Sequence, residues 1–141
     1  MTVDSSKMVI LALGCNVDTK ANMNRMQNAL LRRFTSLRFS PQIVSSAVGV
    51  VAQPFANCLA WTCADMVYGE LYALTKALEQ VLGSSHADKR AGIVVADIDI
   101  LYCGGRKYHQ ADWNRPYIRE LANVMAMDAD YREALNEAIL P

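Results

Sequence analysis

The chain has no surplus of charge of either sign: 14 Lys and Arg stand against 14 Asp and Glu in 141 residues, a formal net charge of zero. A dedicated nucleic-acid binder normally carries a basic excess, so that class is excluded. Long apolar runs are also missing. None approaches the ~20 residues a helix needs to cross a bilayer, so no helical membrane span is expected. The opening Met1-Thr2-Val3-Asp4-Ser5-Ser6-Lys7 shows no charged-then-apolar leader. Export is therefore not expected, and a cytoplasmic location is. Close cysteine pairs are absent: the nearest two of Cys15, Cys58, Cys63 and Cys103 lie five residues apart. That spacing does not favour zinc, and reduced, mostly buried thiols are expected. The two histidines, His86 and His109, are solitary; each reads as a surface residue rather than a metal ligand. There is no internal repeat, low-complexity tract or long linker. A single domain over residues 1–141 is expected, long enough to bury a core without staples.

What is present is unevenly distributed. Residues 1–40 carry six basic and two acidic groups, residues 41–119 seven of each, and residues 120–141 one basic and five acidic. These extremes read as a solvated basic helix face and a solvated acidic tail, or as a field drawing an anion to one side. Met8 to Leu13 is a continuous apolar run, the pattern of a strand covered on both faces. Asn22 to Phe34 reads as a helix, with Met26, Ala29, Leu30 and Phe34 on one side. After Pro41, Gln42 to Ala52 reads as extended. Leu59 to Val67 follows as an alternating strand. Gly69 to Leu82 is a helix whose apolar stripe is Leu71, Leu74, Leu78, Val81 and Leu82, ended by Gly83-Ser84-Ser85. Ile93 to Tyr102 is a strand closed by Gly104-Gly105. Arg115 to Met125 reads as a short helix. Asp130-Tyr131-Arg132-Glu133 reads as a capping box opening a last helix to Leu140. The order β-α-β-β-α-β with a helical C-terminus is a split βαβ pattern: an antiparallel sheet with both main helices on one face.

Asp97 and Asp99 carry the clearest chemical signal. At strand spacing their side chains share a face ~7 Å apart, while Ala96, Ile98 and Ile100 point away. Two neighbouring carboxylates repel, and a divalent cation relieves that cost. Mg²⁺, held by one or two carboxylates plus substrate phosphates, suits the pair. Alternatively the pair is solvated, or bridged by Lys89, Arg90 or Arg115. Gly14-Cys15-Asn16 follows the first strand and reads as its ending turn. Phe55-Ala56-Asn57 sets an aromatic ring and an amide two residues apart. They can engage a flat heterocycle, or serve as a packed Phe and a turn Asn.

Taken in order, these segments resemble the 6-hydroxymethyl-7,8-dihydropterin pyrophosphokinase family from roughly Val9 to Met127. The matching residues are Leu13-Gly14-Cys15-Asn16, Val44-Ser45-Ser46, Phe55-Ala56-Asn57, Glu79 before Gly83, Asp97-Ile98-Asp99-Ile100-Leu101 with Gly104, and His109, Arg115 and Tyr117. The resemblance implies a ferredoxin-like α/β (α+β) fold. It also implies a transferase of folate biosynthesis that moves pyrophosphate from ATP to a pterin alcohol. By that resemblance Asp97 and Asp99 hold two Mg²⁺ ions. Asn57 hydrogen-bonds the pterin between the rings of Phe55 and Tyr117. Glu79, His109 and Arg115 contact ATP. Beside these carried-over roles, Lys89 and Arg90 remain in this chain as phosphate contacts, Arg90 being counted with the two aspartates as catalytic. Such transfer is largely alignment and neutralisation of phosphate charge, and needs no protein nucleophile.

The chain also departs from the family. Ser84 and His86 stand where Arg is expected, Ala91 replaces a Trp, and Ile93-Val94-Val95 replaces Pro-Arg-Thr. Val48 to Gln53 is shortened and lacks the usual Tyr-x-Thr-x-Pro. Gly104 to His109 is shortened too, as if a small hairpin were deleted. One lost charged donor typically removes ~3–4 kcal/mol of transition-state stabilisation. Three readings follow: a divergent enzyme, impaired in rate; a weak or inactive relative that binds pterin or nucleotide; and a ferredoxin-like interaction module. The sequence does not set an oligomeric state.

Overall fold

The computed structural model describes residues 2–46 and 53–139. A single-turn helix at Ser5–Lys7 leads into β1 (Met8–Cys15), and α1 (Thr19–Arg33) follows. The two short strands β2 (Arg38–Phe39) and β3 (Ile43–Ser45) precede β4 (Phe55–Cys63). Then come α2 (Tyr68–Val81), the five-residue α3 (His86–Arg90), β5 (Asp97–Cys103) and β6 (Arg106–Lys107). The C-terminal part holds α4 (Pro116–Met125) and α5 (Arg132–Ile139).

The sheet runs β2-β4-β1-β5-β6, with β3 also paired to β4, and its recorded pairs are antiparallel. This is the strand order of a split βαβ unit, as expected. β1 sits at the centre because its apolar residues are covered on both faces. Val9, Leu11 and Leu13 enter a core with Met23, Met26 and Leu30 of α1 and Leu71 of α2. Met8 and Ile10 enter a second core with Ile118 and Leu121 of α4 and Leu135 of α5. Both main helices therefore share one face, and the C-terminal helices cover the other.

Several boundaries differ from the sequence reading. α1 starts a turn earlier than Asn22, after Asp18 in the left-handed region (φ 41°). The strand expected over Leu59 to Val67 is β4, beginning at Phe55 and ending at Cys63. Its residues Ala56 to Thr62 are all buried instead of alternating, because helices lie against both sides. Of the expected extended stretch, β3 covers Ile43–Ser45; residues 47–52 lie outside the described ones. The expected apolar stripe of α2 loses Val81, which is 79% exposed at the last helical position, whereas Leu71 and Leu82 are buried.

β5 begins at Asp97, not Ile93. The buried Asn16 explains why. Its Nδ2 donates to Gly92 O at 2.7 Å, its Oδ1 accepts from Val94 N at 2.7 Å, and its own N donates to Val94 O at 2.9 Å. The apolar run Ile93-Val94-Val95 is thus tied to the end of β1 as a loop. Asn16, read as part of a turn, is its splint. A minimal hairpin survives where a deletion is expected: Gly104 (φ 58°) and Gly105 (φ 80°) join β5 to β6 in the two-residue turn such backbones favour.

All four cysteines are free; Cys15, Cys58 and Cys103 are buried and Cys63 is exposed. Among the described residues, opposite charges of the basic and acidic thirds pair at Arg38. Arg38 Nη1 donates to both Asp128 oxygens at 2.7 Å, and its Nη2 donates to Asp130 at 3.0 Å. Asp128 also accepts from Trp61 Nε1 at 2.9 Å. Asp130, expected to open the last helix as its cap, instead turns its carboxylate to Arg38 and lies two residues before the first helical residue, Arg132.

Candidate active site

Strand register builds the site. Gly14 of β1 lies opposite Asn57 of β4 on one side and opposite Asp97 of β5 on the other. One step in, Ala12 lies between Leu59 and Asp99. Residues opposite each other in a sheet share a face, so Asn57, Asp97 and Asp99 project from the same face, over a floor made of glycine and alanine. The result is a cleft of about 210 Å³ at the end of the sheet. Its walls include Ser45, Phe55, Asn57, Asp97, Asp99 and Tyr117. Asp112 and Arg115 also line it. A side chain at Gly14 would rise between Phe55 Cδ2 and Asn57 Oδ1, at 3.6 and 3.7 Å from its Cβ.

Asn57 is buried, and its position is fixed by its nitrogen. Nδ2 donates to Ser45 Oγ at 2.7 Å, Ile43 O at 3.2 Å and Phe55 O at 3.3 Å. The carbonyl Oδ1 is left on the Gly14 side of the amide, placed to accept from a ligand's N–H. Phe55 and Tyr117 are half-buried on the walls.

Asp97 and Asp99 share a face of β5, and Ile98 and Ile100 between and beyond them are buried. Burial, and then the neighbouring Asp97 carboxylate, push the Asp99 carboxyl up to about 7. Of the pair, Asp97 has a lysine ammonium beside it, while Asp99 lies 3.9 Å from a histidine nitrogen. Among the described residues, no group of three or more His, Cys, Asp and Glu side chains forms a metal cage of its own. Two carboxylates open to a cleft fit an ion that completes its shell with substrate oxygens, which is the usual habit of Mg²⁺. The donor set therefore fits that ion.

The flanking charges are arranged around Glu79. It is 5% exposed, and its Oε2 accepts from Ile98 N at 2.7 Å. β6 pairs only with Tyr102 and Cys103, so Ile98 lies on a stretch of β5 that β6 leaves open. Glu79 from α2 satisfies that edge N–H. Lys76 and Lys89 sit 3.3 and 3.5 Å from its Oε1. Lys89 also donates to Asp97 Oδ1 at 3.2 Å. Burial would lower the Lys89 ammonium, but Asp97 and Glu79 outweigh it and hold it above its ordinary range. His109, with φ 53°, places Nε2 3.9 Å from Asp99 and Nδ1 3.7 Å from Asp112. Arg115 Nε donates to Asp112 Oδ1 at 2.8 Å.

The fold thus gathers Phe55, Asn57, Asp97, Asp99, Arg115 and Tyr117 on one cleft. Lys89 and His109 reach its aspartates from the side. Arg90 is exposed on α3 and makes no ion pair among the described residues. Glu79 is engaged by a backbone N–H and two lysines, and His86 is exposed. Asp112 was missed by sequence reasoning. Its signal is the i, i+3 spacing to Arg115 just ahead of a Pro-started helix.

No curated protein matches the chain. A family model described as 7,8-dihydro-6-hydroxymethylpterin-pyrophosphokinase matches residues 10–130, a span that includes every wall of the cleft. The chain belongs to the 7,8-dihydro-6-hydroxymethylpterin-pyrophosphokinase family.

Proposed function

We propose that this chain transfers pyrophosphate from ATP to 6-hydroxymethyl-7,8-dihydropterin, with Asp97 and Asp99 as the residues that hold Mg²⁺, at a rate reduced by its missing arginines. The family is one of ATP-dependent pterin diphosphokinases, transferases of folate synthesis. The observation that carries the reading is the row Asn57–Gly14–Asp97 across three strands, which places an amide acceptor and a carboxylate pair on one small cleft.

In this reading Asn57 Oδ1 accepts from the pterin's N–H edge, and Phe55 and Tyr117 flank the ring. Asp97 and Asp99 would hold the divalent cation, which when bound would supply neutralisation of phosphate charge. Arg115, held by Asp112, and Lys89 face the remaining phosphate oxygens. The hydroxymethyl oxygen bonds to the β-phosphorus as the bond between that phosphorus and the oxygen bridging to the α-phosphate breaks. AMP leaves with that oxygen, and the hydroxyl proton passes to solvent. Alignment and charge neutralisation supply the acceleration. Ser84, His86 and Val94 supply no guanidinium, and Ala91 supplies no indole. Each absent donor lowers the rate by about 10²–10³.

The test is AMP release coupled to a dehydrogenase assay, with Mg²⁺, ATP and the pterin alcohol. Release that requires all three and is lost in Asp97→Asn supports the reading. The missing arginines favour a second reading, a binder without turnover. Calorimetry separates the two: pterin affinity with no AMP release would replace the enzyme by the binder, and no affinity for pterin or nucleotide would sink both.

A further inference from the structure

The site as it stands is already bridged by a cation of the protein's own. Lys89 Nζ lies 3.2 Å from Asp97 Oδ1 and 3.5 Å from Glu79 Oε1. Glu79 is fixed, because its other oxygen holds the Ile98 N–H at 2.7 Å. Asp97 is less confined, with a side chain 35% exposed, and Lys89 is 31% exposed. The lysine is carried by α3, five residues long, between Gly83 (φ 99°) and Gly92 (φ 80°). A left-handed residue at each end gives this short segment its tight entry and exit. A lysine on a flexible stem with three donors can exchange one acceptor for another without moving its backbone.

We propose that Lys89 is a built-in counter-ion that competes with a divalent cation for Asp97, so that the site takes the metal well only when a polyphosphate draws the ammonium away. This rests on the Mg²⁺ reading of Asp97 and Asp99 above. The ammonium occupies Asp97 Oδ1, the same kind of oxygen a divalent ion needs. Both cations cannot sit on it, and like charges a few ångströms apart in a partly buried site repel strongly. Phosphate oxygens arriving in the cleft offer Lys89 new acceptors while Glu79 still anchors it. The metal and the nucleotide then bind together, and free metal alone binds weakly. Lys89 thus acts on the metal through Asp97 and on the polyphosphate directly.

Mn²⁺ alone is the probe, titrated without nucleotide and followed by the loss of the free-ion paramagnetic signal. The wild-type chain, Lys89→Met, Lys89→Gln, Lys89→Arg and Asp97→Asn are compared. Lys89→Met binds Mn²⁺ at least tenfold more tightly than wild type, Lys89→Arg stays near wild type, and Asp97→Asn binds least. A non-hydrolysable ATP analogue tightens Mn²⁺ binding in wild type far more than in Lys89→Met. Lys89→Gln, which keeps a polar end, gives the same reading should the methionine variant fail to fold. Equal or weaker Mn²⁺ binding in the neutral variants overturns the proposal, even where the wild-type chain releases AMP. Unmasked Mn²⁺ binding in a chain that releases no AMP upholds it and removes the transfer reading instead.

Discussion

Asp99 is a carboxyl that the fold holds against its own charge, and this has a consequence for stability. Its folded value of about 7 lies above the ordinary carboxylate value, with burial the larger cause and Asp97 the next. Asp97 on β5, Lys76 and Glu79 on α2, and His109 in the following loop surround it. Between about pH 4 and about pH 7 the folded metal-free chain keeps a proton that the unfolded chain has released. The stabilisation is therefore present at low pH and is lost as pH rises through about 7. It amounts to about 2–4 kcal/mol. Urea unfolding with a chelator at pH 5 to 8 should show this fall in wild type and a flatter profile in Asp99→Asn, with the variant the more stable at pH 8. Parallel profiles would defeat the argument. Asp128, which Arg38 and Trp61 keep below the usual carboxylate range against the opposing effect of burial, acts in a separate, more acidic window. The Asp97/Asp99 pair was legible in the sequence because strand spacing alone puts both on one face. Glu79's task was not, since its partner is a backbone N–H on another element, 19 residues away.

At the scale of elements, local pattern marked most helices and strands, and a distant side chain shifted one boundary. Ile93-Val94-Val95 has the composition of a strand, yet Asn16 claims the Val94 N–H and the Gly92 carbonyl. A polar residue 78 positions away decides the conformation, and no periodicity reports it. Asn16→Ala removes both bonds and leaves their partners part-buried. The expected cost is about 2–3 kcal/mol, read from urea unfolding, because an unmade buried hydrogen bond costs the desolvation of its orphan. The Val94 amide should also exchange with deuterium faster than the amides of β1, which measures the splint directly. Unchanged stability together with unchanged Val94 exchange would show that the loop holds itself. The cleft residues that were legible lie on regular strands or at the Pro116-started helix. The floor of Ala12 and Gly14 was not legible as a floor, because it follows from pairing with two strands at once.

For the whole molecule, the central strand makes one cooperative unit of two layers that share few residues. β1 sends Val9, Leu11 and Leu13 to the α1/α2 core and Met8 and Ile10 to the α4/α5 core. The neutral total charge hid a second tie: Arg38, from the basic third, grips Asp128 and Asp130 of the acidic tail and stacks over the Tyr131 ring at 5.1 Å. The chain's two tryptophans, Trp61 and Trp113, both belong to the α4/α5 core. Indole fluorescence therefore reports that layer, while far-ultraviolet dichroism reports mainly the longer α1 and α2. Leu11→Ala opens a cavity in the opposite core and costs about 2–5 kcal/mol. If β1 couples the layers, the fluorescence and dichroism transitions of this variant shift together and remain superimposable, as a two-state unit requires. A dichroism midpoint that falls while the tryptophan midpoint stays would mean that the layers unfold separately. In that case the row Asn57–Gly14–Asp97, which rests on β1 being held by both, could persist after α1 and α2 had let go.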